Sequence, residues 1–139
     1  MDVLNDKQGC ILILEDDRDS ADLLRVWFES QGYNVALAFT GEDALRLAEA
    51  TPPDVAILDI LVPGIDGFEV FKQMHQRAAT QHTAVLFLTV RDERDEMLRG
   101  LEMGAIDYVT KPYDIQTLGL RVRNLVRHAR RQATQTGPA

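Results

Sequence analysis

Carboxylate, hydroxyl and ammonium side chains stand at the ends of four separate apolar runs in this chain. They are Glu15, Asp16, Asp59, Thr89 and Lys111. Three carboxylates that pack together repel one another, so either one stays protonated or a cation joins them. Ligand sets made only of oxygen favour a hard divalent ion, and Mg²⁺ in particular pairs with phosphate oxygens.

Asp59 is the residue that we expect to do the chemistry. A carboxylate can accept a phosphoryl group and form an acyl phosphate. The transfer requires that charge on the phosphoryl oxygens be neutralised and that the nucleophile be held in line. A metal, the Lys111 ammonium and the Thr89 hydroxyl would do this together. One acid at a strand end more often caps a helix or contacts solvent, but four such ends favour a shared site.

The elements that must position these residues alternate along the chain. Apolar runs predict five strands, and amphipathic helices are predicted between and after them. The predicted strands are 11–14, 35–38, 55–59, 84–88 and 106–109. The predicted helices run from Asp17 or Asp19 to Gly32, from Thr40 to Thr51, from Asp66 to the loop 80–82, from Asp92 to Gly104, and onward from Asp114. This alternation predicts a parallel sheet with helices on both faces, whose carboxyl ends share one edge.

Helical spacing predicts the side of each helix that faces the sheet. These inward residues are Leu23, Leu24, Trp27 and Phe28; Ala44, Leu45 and Ala48; Phe68, Phe71 and Met74; Met97, Leu98 and Leu101; and Leu118, Val122, Leu125 and Val126.

Composition indicates an ordinary globular domain, with 45% apolar and 27% charged residues in 139. The net charge of −7 argues against unspecific binding to nucleic acid or membranes. Neither a signal peptide nor a membrane span is predicted, and the single cysteine, Cys10, fits a reducing cytoplasm. We expect a disordered N-terminus at 1–8, one domain at 9–130, and a linker or tail at 131–139.

Four motifs carry a resemblance to a known family. They are Ile-Leu-Ile-Leu-Glu-Asp-Asp at 11–17, Pro-Asp-Val-Ala-Ile-Leu-Asp-Ile-Leu-Val-Pro-Gly-Ile-Asp-Gly at 53–67, Leu-Thr at 88–89, and Gly-Ala-Ile-Asp-Tyr-Val-Thr-Lys-Pro at 104–112. In this order and spacing the chain resembles the receiver domain of two-component response regulators. The resemblance implies a flavodoxin-like, doubly wound (β/α)5 fold with a five-stranded parallel sheet of order 2-1-3-4-5.

The resemblance also implies a role for each site residue. Asp59 would be phosphorylated by a sensor histidine kinase or a phosphotransfer protein. Asp16 would bind Mg²⁺ directly, Glu15 mostly through water, and the Leu61 carbonyl would be a third protein ligand. Asp16 with Asp17 remains an alternative acidic pair.

Lys111 would contact the phosphoryl group, with a cis bond to Pro112, and Thr89 and Tyr108 would form the switch pair. The output would be a changed surface on the fourth helix, last strand and last helix that controls an output domain or partner. Such a domain is a phosphoacceptor regulator rather than an enzyme, limited to self-phosphorylation from phosphodonors and slow self-dephosphorylation.

Some residues depart from the family pattern. Val90 is larger than usual after the switch threonine, and Leu61 and Arg91 flank the pocket mouth. We hypothesise that Leu61 and Val90 restrict the attacking water and lengthen the life of the acyl phosphate.

The segment 91–121 resembles the winged-helix transcription-factor subfamily, which dimerises through ion pairs on this face. Asp107 and Arg121 match those charges, whereas Met97, Ile106 and Thr117 stand where charges are usual. Met97 and Ile106 either occupy the core or the surface without a binding role, or form part of a more apolar dimer or partner surface.

Three other functions compete with a phosphorylation switch. A phosphatase with an aspartyl nucleophile needs a second aspartate two residues later, where Leu61 stands. A flavin or nucleotide carrier would place a glycine-rich loop after the first strand, where Glu15-Asp16-Asp17 stands. A degenerate receiver that only binds partners would not need Asp59, Lys111, Thr89 and the acidic pair together.

Overall fold

The computed structural model describes residues 9–90, Glu102 and 107–135. The strands are β1 (Gly9–Leu14), β2 (Tyr33–Ala38), β3 (Val55–Asp59), β4 (Ala84–Val90) and β5 (Asp107–Lys111). The helices are α1 (Arg18–Ser30), α2 (Gly41–Ala50), α3 (Gly67–Gln76) and a C-terminal helix, Ile115–Gln135. The predicted helix from Asp92 to Gly104 lies outside the described residues apart from Glu102, which is helical, as do the predicted inward residues Met97, Leu98 and Leu101.

The five strands form one parallel sheet in the order β2-β1-β3-β4-β5. This confirms the flavodoxin-like topology that was expected. The sheet separates two apolar clusters, one packed beneath α2 and α3 and the other beneath α1 and the C-terminal helix. Every residue of β3 is buried, because alternate side chains enter opposite clusters: Ala56 and Leu58 face one, Val55 and Ile57 the other.

Short polar side chains fix where the helices begin. The Asp17 carboxylate accepts the Ser20 backbone N–H at 3.0 Å, so Asp17 rather than Asp19 caps α1. Thr40 and Asp66 cap α2 and α3 in the same way. Gly32 follows the end of α1 with a φ of +96°, a conformation that glycine adopts readily.

The prediction that Leu23 packs inward was wrong. Leu23 is 63% exposed, whereas the buried residues of α1 are Ala21, Leu24 and Phe28. At 3.6 residues per turn, Leu23 lies about 100° around the helix from Leu24, which takes it off the sheet-facing side. Trp27 is partly buried at the edge of that side. The inward residues predicted for α2, α3 and the C-terminal helix are all buried.

Several element boundaries differ from the sequence prediction. β1 and β2 begin earlier than predicted, at Gly9 and Tyr33, and α3 ends at Gln76, before the predicted loop at 80–82. β4 continues through Thr89 to Val90, and β5 continues to Lys111. The C-terminal helix continues to Gln135, so part of the segment expected to be a linker or tail is helical. Within the described ranges no helix is long and apolar enough to cross a membrane.

Candidate functional site

The carboxyl edge of the sheet brings three of the predicted site residues into direct contact. Glu15 follows the last residue of β1, Asp59 ends β3, and Lys111 ends β5. Because β4 lies between β3 and β5, the long Lys111 side chain crosses the carboxyl end of β4 to reach Asp59. The Lys111 Nζ lies 2.6 Å from Asp59 Oδ2 and 2.8 Å from Glu15 Oε1.

Asp59 is buried, with 6% of its surface exposed. Its Oδ2 atom pairs with Lys111, and its Oδ1 atom accepts the backbone N–H of Leu61 at 3.1 Å. Both oxygens of the carboxylate therefore have a hydrogen-bond partner. The carboxylate lies at the end of a fully buried strand that is paired on both sides, so the sheet fixes the position of its backbone.

Glu15 is held as firmly as Asp59. It is 1% exposed, its backbone N–H donates to the Ala38 carbonyl at 3.0 Å, and its Oε2 atom accepts the Asp17 N–H at 3.1 Å. Asp16, by contrast, is exposed. Oxygen atoms of Glu15, Asp16 and Asp59 lie within 4.8 Å of one another.

This donor set fits a hard divalent cation. It consists of oxygen atoms alone, and the three carboxylates together with Lys111 carry a formal charge of −2. The exposed side of Asp16 leaves the cluster open to solvent, where an ion can keep several waters. Leu61, whose backbone N–H contacts Asp59, is 59% exposed beside the cluster.

Asp17 has a different role in the structure. Hydrogen bonds from the Ser20 hydroxyl and backbone N–H lower the pKa of this carboxyl. Its side chain is therefore committed to the start of α1. This placement favours Glu15 with Asp16 over Asp16 with Asp17 as the acidic pair.

Two opposing effects act on the pKa of the Lys111 ammonium, which is partly buried. Burial by itself lowers the pKa of the ammonium. Hydrogen bonds to Asp59 and Glu15, together with the charges of both, outweigh burial and raise its pKa well above the usual value. The peptide bond between Lys111 and Pro112 is cis, as the resemblance implied.

The two residues of the expected switch pair lie on neighbouring strands. Thr89, in β4, is 3% exposed, and its hydroxyl donates to the Val90 carbonyl at 3.3 Å. Tyr108, in β5, is partly buried against the cluster beneath α2 and α3. Val90 is 42% exposed, and Arg91 lies outside the described residues.

One positioning residue was missed by reasoning from the sequence. A Cβ added to Gly67 would lie 2.5 Å from the Asp59 carbonyl oxygen and 3.0 Å from the Ile60 Cα. The Gly67 N–H also donates to the Ile60 carbonyl at 3.0 Å. A glycine here lets the start of α3 approach the end of β3. In the sequence Gly67 closes the 53–67 motif, directly after the capping Asp66, but neither feature indicates the close approach to β3.

A family model described as the response regulator receiver domain matches residues 11–123. The chain belongs to this receiver domain family. It is 39% identical over 119 residues to the alkaline phosphatase synthesis transcriptional regulatory protein PhoP of Bacillus subtilis (strain 168), covering 86% of this chain and 49% of that protein. It is 37% identical over 126 residues to the transcriptional regulatory protein AfsQ1 of Streptomyces coelicolor, covering 91% of this chain and 55% of that protein. The receiver thus spans about half the length of the curated relatives it matches.

Solved receiver structures have the same fold. A putative response regulator from Chloroflexus aurantiacus superposes with a TM-score of 0.80 at 36% identity, covering 86% of this chain and 98% of that chain. A receiver domain of a Francisella response regulator gives a TM-score of 0.78 at 31% identity, covering 86% and 97% of the two chains. The chain is thus a response regulator receiver domain of two-component systems.

Proposed function

We propose that this receiver is a phosphorylation-activated switch. Asp59 accepts a phosphoryl group from a sensor histidine kinase or a phosphotransfer protein in the presence of Mg²⁺. The observation that carries the proposal is the ion pair from Lys111 to both Asp59 and Glu15, beside the acidic cluster. The predicted cytoplasmic location and the domain limits of 9–130 stay predictions.

The transfer needs one bond to form and one to break. A carboxylate oxygen of Asp59 attacks phosphorus, the phosphorus–nitrogen bond of the phosphohistidine breaks, and the imidazole leaves with the electron pair. The product is an acyl phosphate. Attack of water at phosphorus later breaks the new phosphorus–oxygen bond, restores the carboxylate and releases phosphate.

The residues around Asp59 would have separate roles in the phosphoryl transfer. Lys111 exchanges its contact with the carboxylate for one with a phosphoryl oxygen and neutralises developing charge. Glu15 and Asp16, with the Leu61 carbonyl, would hold Mg²⁺. When bound, the ion supplies positive charge to the phosphoryl oxygens.

The switch itself requires the Thr89 hydroxyl to move. In the structure that hydroxyl bonds the Val90 carbonyl, so it must release this bond to reach a phosphoryl oxygen. Tyr108 then follows it further inward. The domain then has an inactive and an active arrangement. Phosphorylation shifts the population toward the active one only as far as these groups bind the phosphoryl group more tightly there than in the inactive one. The changed surface would include β5 and the C-terminal helix, and would control an output domain or partner.

Intact-mass spectrometry after incubation with acetyl phosphate and Mg²⁺ tests the proposal. We expect the mass of one phosphate to be added to the wild type and not to Asp59→Asn. Asp43→Asn, at a partly exposed acid of α2 that pairs with Arg46, is the matched control and should react like the wild type. No gain for the wild type, even with a candidate histidine kinase supplied, would exclude the switch.

A further inference from the structure

The loop 60–66 joins the end of β3 to the start of α3. It contains Leu61, whose backbone N–H donates to Asp59 Oδ1 at 3.1 Å and whose carbonyl we propose as a Mg²⁺ ligand. A backbone carbonyl cannot turn independently of the planar peptide that carries it, so the position of this loop decides where the oxygen points. Contacts that fix the loop therefore affect the site, even where they lie several residues from Leu61.

The carboxylate of Glu42, in the first turn of α2, contacts this loop. Its Oε2 atom accepts the backbone N–H of Ile65 at 3.4 Å, although the two residues are 23 positions apart in the chain. A Cβ added to Gly64 would lie 2.5 and 2.8 Å from the two carboxylate oxygens. The Glu42 carboxylate therefore lies against two consecutive residues of the loop. Gly64 suits this contact because it has no side chain and its φ is +80°, which other residues rarely adopt.

The residue before Glu42 brings the backbone of α2 close to the same part of the loop. A Cβ added to Gly41 would collide with the Ile65 carbonyl oxygen and would lie 2.5 Å from Ile65 Cγ1. Ile65 is itself partly buried against the apolar cluster beneath α2 and α3. The Thr40 hydroxyl accepts the Asp43 N–H at 3.2 Å and so fixes where α2 begins. The start of α2 therefore packs against the loop through its backbone as well as through the Glu42 carboxylate.

Asp43, the next residue, makes a different contact. Its carboxylate pairs with Arg46 of the same helix, at 3.2 Å between Oδ1 and Nη2. Both acids lie in the first turn of α2, where the helix dipole favours negative charge. Stabilisation of the helix start is thus common to the two residues, whereas Glu42 also reaches the loop. This pair of neighbouring acids allows the two effects to be separated.

We propose that Glu42 is a positioning residue for the phosphorylation site. By contacting the backbone of Gly64 and Ile65, its carboxylate sets the position of the Leu61 carbonyl relative to Asp59. The inference rests on the proposed function, in which that carbonyl binds Mg²⁺. The contact with Ile65 is a hydrogen bond to a backbone N–H. Glu42→Gln keeps an oxygen acceptor for it, whereas Glu42→Ala does not.

NMR relaxation of the chain without Mg²⁺ or phosphodonor tests the contact itself. We expect Glu42→Ala to lower the backbone order parameters of Gly64 and Ile65 by about 0.2, toward the value of a flexible chain. Glu42→Gln should keep the wild-type values, because its side-chain carbonyl accepts the same N–H. Asp43→Ala is the matched control and should also keep them. Unchanged order parameters in Glu42→Ala would overturn the proposal.

Titration calorimetry with Mg²⁺ tests whether the contact affects the metal site. Glu42→Ala should weaken Mg²⁺ binding by about threefold, because it removes a group that orients a metal ligand. Asp43→Ala removes one negative charge from the same turn and should bind Mg²⁺ like the wild type, as should Glu42→Gln. Equal weakening in all three variants would reveal a general effect of charge and overturn the proposal. Unchanged affinity in Glu42→Ala would overturn it as well.

Phosphorylation of the wild type by acetyl phosphate distinguishes a failure of the switch from a failure of Glu42. If the wild type binds Mg²⁺ but gains no phosphate, the switch is excluded, and the order parameters and Mg²⁺ affinities of the variants still decide the role of Glu42. If the wild type is phosphorylated and Glu42→Ala matches it in both measurements, Glu42 has no positioning role and the switch stands. A wild type without measurable Mg²⁺ binding would overturn both.

Discussion

The ammonium of Lys111 lies 2.6 Å from Asp59 Oδ2, although the two residues are on strands separated by β4. The same ammonium lies 2.8 Å from Glu15 Oε1. One cation therefore holds together two buried carboxylates that would otherwise repel each other. The residue after β1 and the last residue of β3, which we propose as a metal ligand and as the phosphoacceptor, are therefore coupled through this side chain.

Replacing Lys111 by methionine should strengthen Mg²⁺ binding and abolish efficient phosphorylation. The variant frees one oxygen each of Asp59 and Glu15 and makes the cluster one charge more negative. We expect Mg²⁺ affinity to rise by roughly tenfold, equivalent to about 1.4 kcal/mol. Titration calorimetry measures the affinity. Lys72→Met removes an exposed lysine of α3 and should change neither property; unchanged affinity in Lys111→Met would contradict the coupling.

The same lysine predicts how stability depends on pH. Because the folded state raises its pKa above the unfolded value of 10.5, its contribution is complete below that pH. The contribution is lost as pH rises through the folded pKa. The stability difference between wild type and Lys111→Met should therefore be constant near neutrality and shrink in strong alkali. Urea unfolding at about pH 8 and about pH 11 measures this difference in the free energy of unfolding. A difference that grows with pH would show that folding does not raise the pKa of Lys111.

Three matched variants identify the acidic pair. Asp16→Asn should weaken Mg²⁺ binding by roughly tenfold, since it removes a ligand charge, and Glu15→Gln should also weaken it. Asp17→Asn should leave the affinity nearly unchanged, because asparagine caps α1 about as well as aspartate. Equal losses for Asp16→Asn and Asp17→Asn would instead support the Asp16–Asp17 pair.

Sequence patterns predicted the sheet and the residues at its carboxyl edge because each depends on local information. A buried strand such as β3 is a continuous apolar run, and a polar residue at its end is visible in the sequence. The exposure of Leu23 could not be predicted in this way, since it depends on how α1 is rotated against the sheet. The need for glycine at Gly67 depends on a close approach to the backbone of β3, a contact that no residue pattern describes.

Val90→Ala tests whether the bulk of Val90, which pairs with Lys111 in the sheet, protects the acyl phosphate. Val90 is 42% exposed, so the change should cost little stability. We expect dephosphorylation to become a few times faster as water gains access to the phosphoryl group. Phosphate release after removal of the phosphodonor measures the rate. Val26→Ala, at a 57% exposed valine of α1, controls for the loss of an exposed valine side chain, and equal rates in Val90→Ala and wild type would exclude this role.

Gly67→Ala should damage both stability and phosphorylation. Its Cβ would lie 2.5 Å from the Asp59 carbonyl oxygen, and a backbone neighbour cannot turn aside as a side chain can. The end of β3 or the start of α3 must shift, at a cost of about 1–3 kcal/mol. Gly119→Ala is the matched control, because there the neighbour is the Trp27 ring, which lies beside a cavity and can move. Urea unfolding and the phosphorylation rate of both variants should separate them; equal losses would mean that Gly67 does not position Asp59.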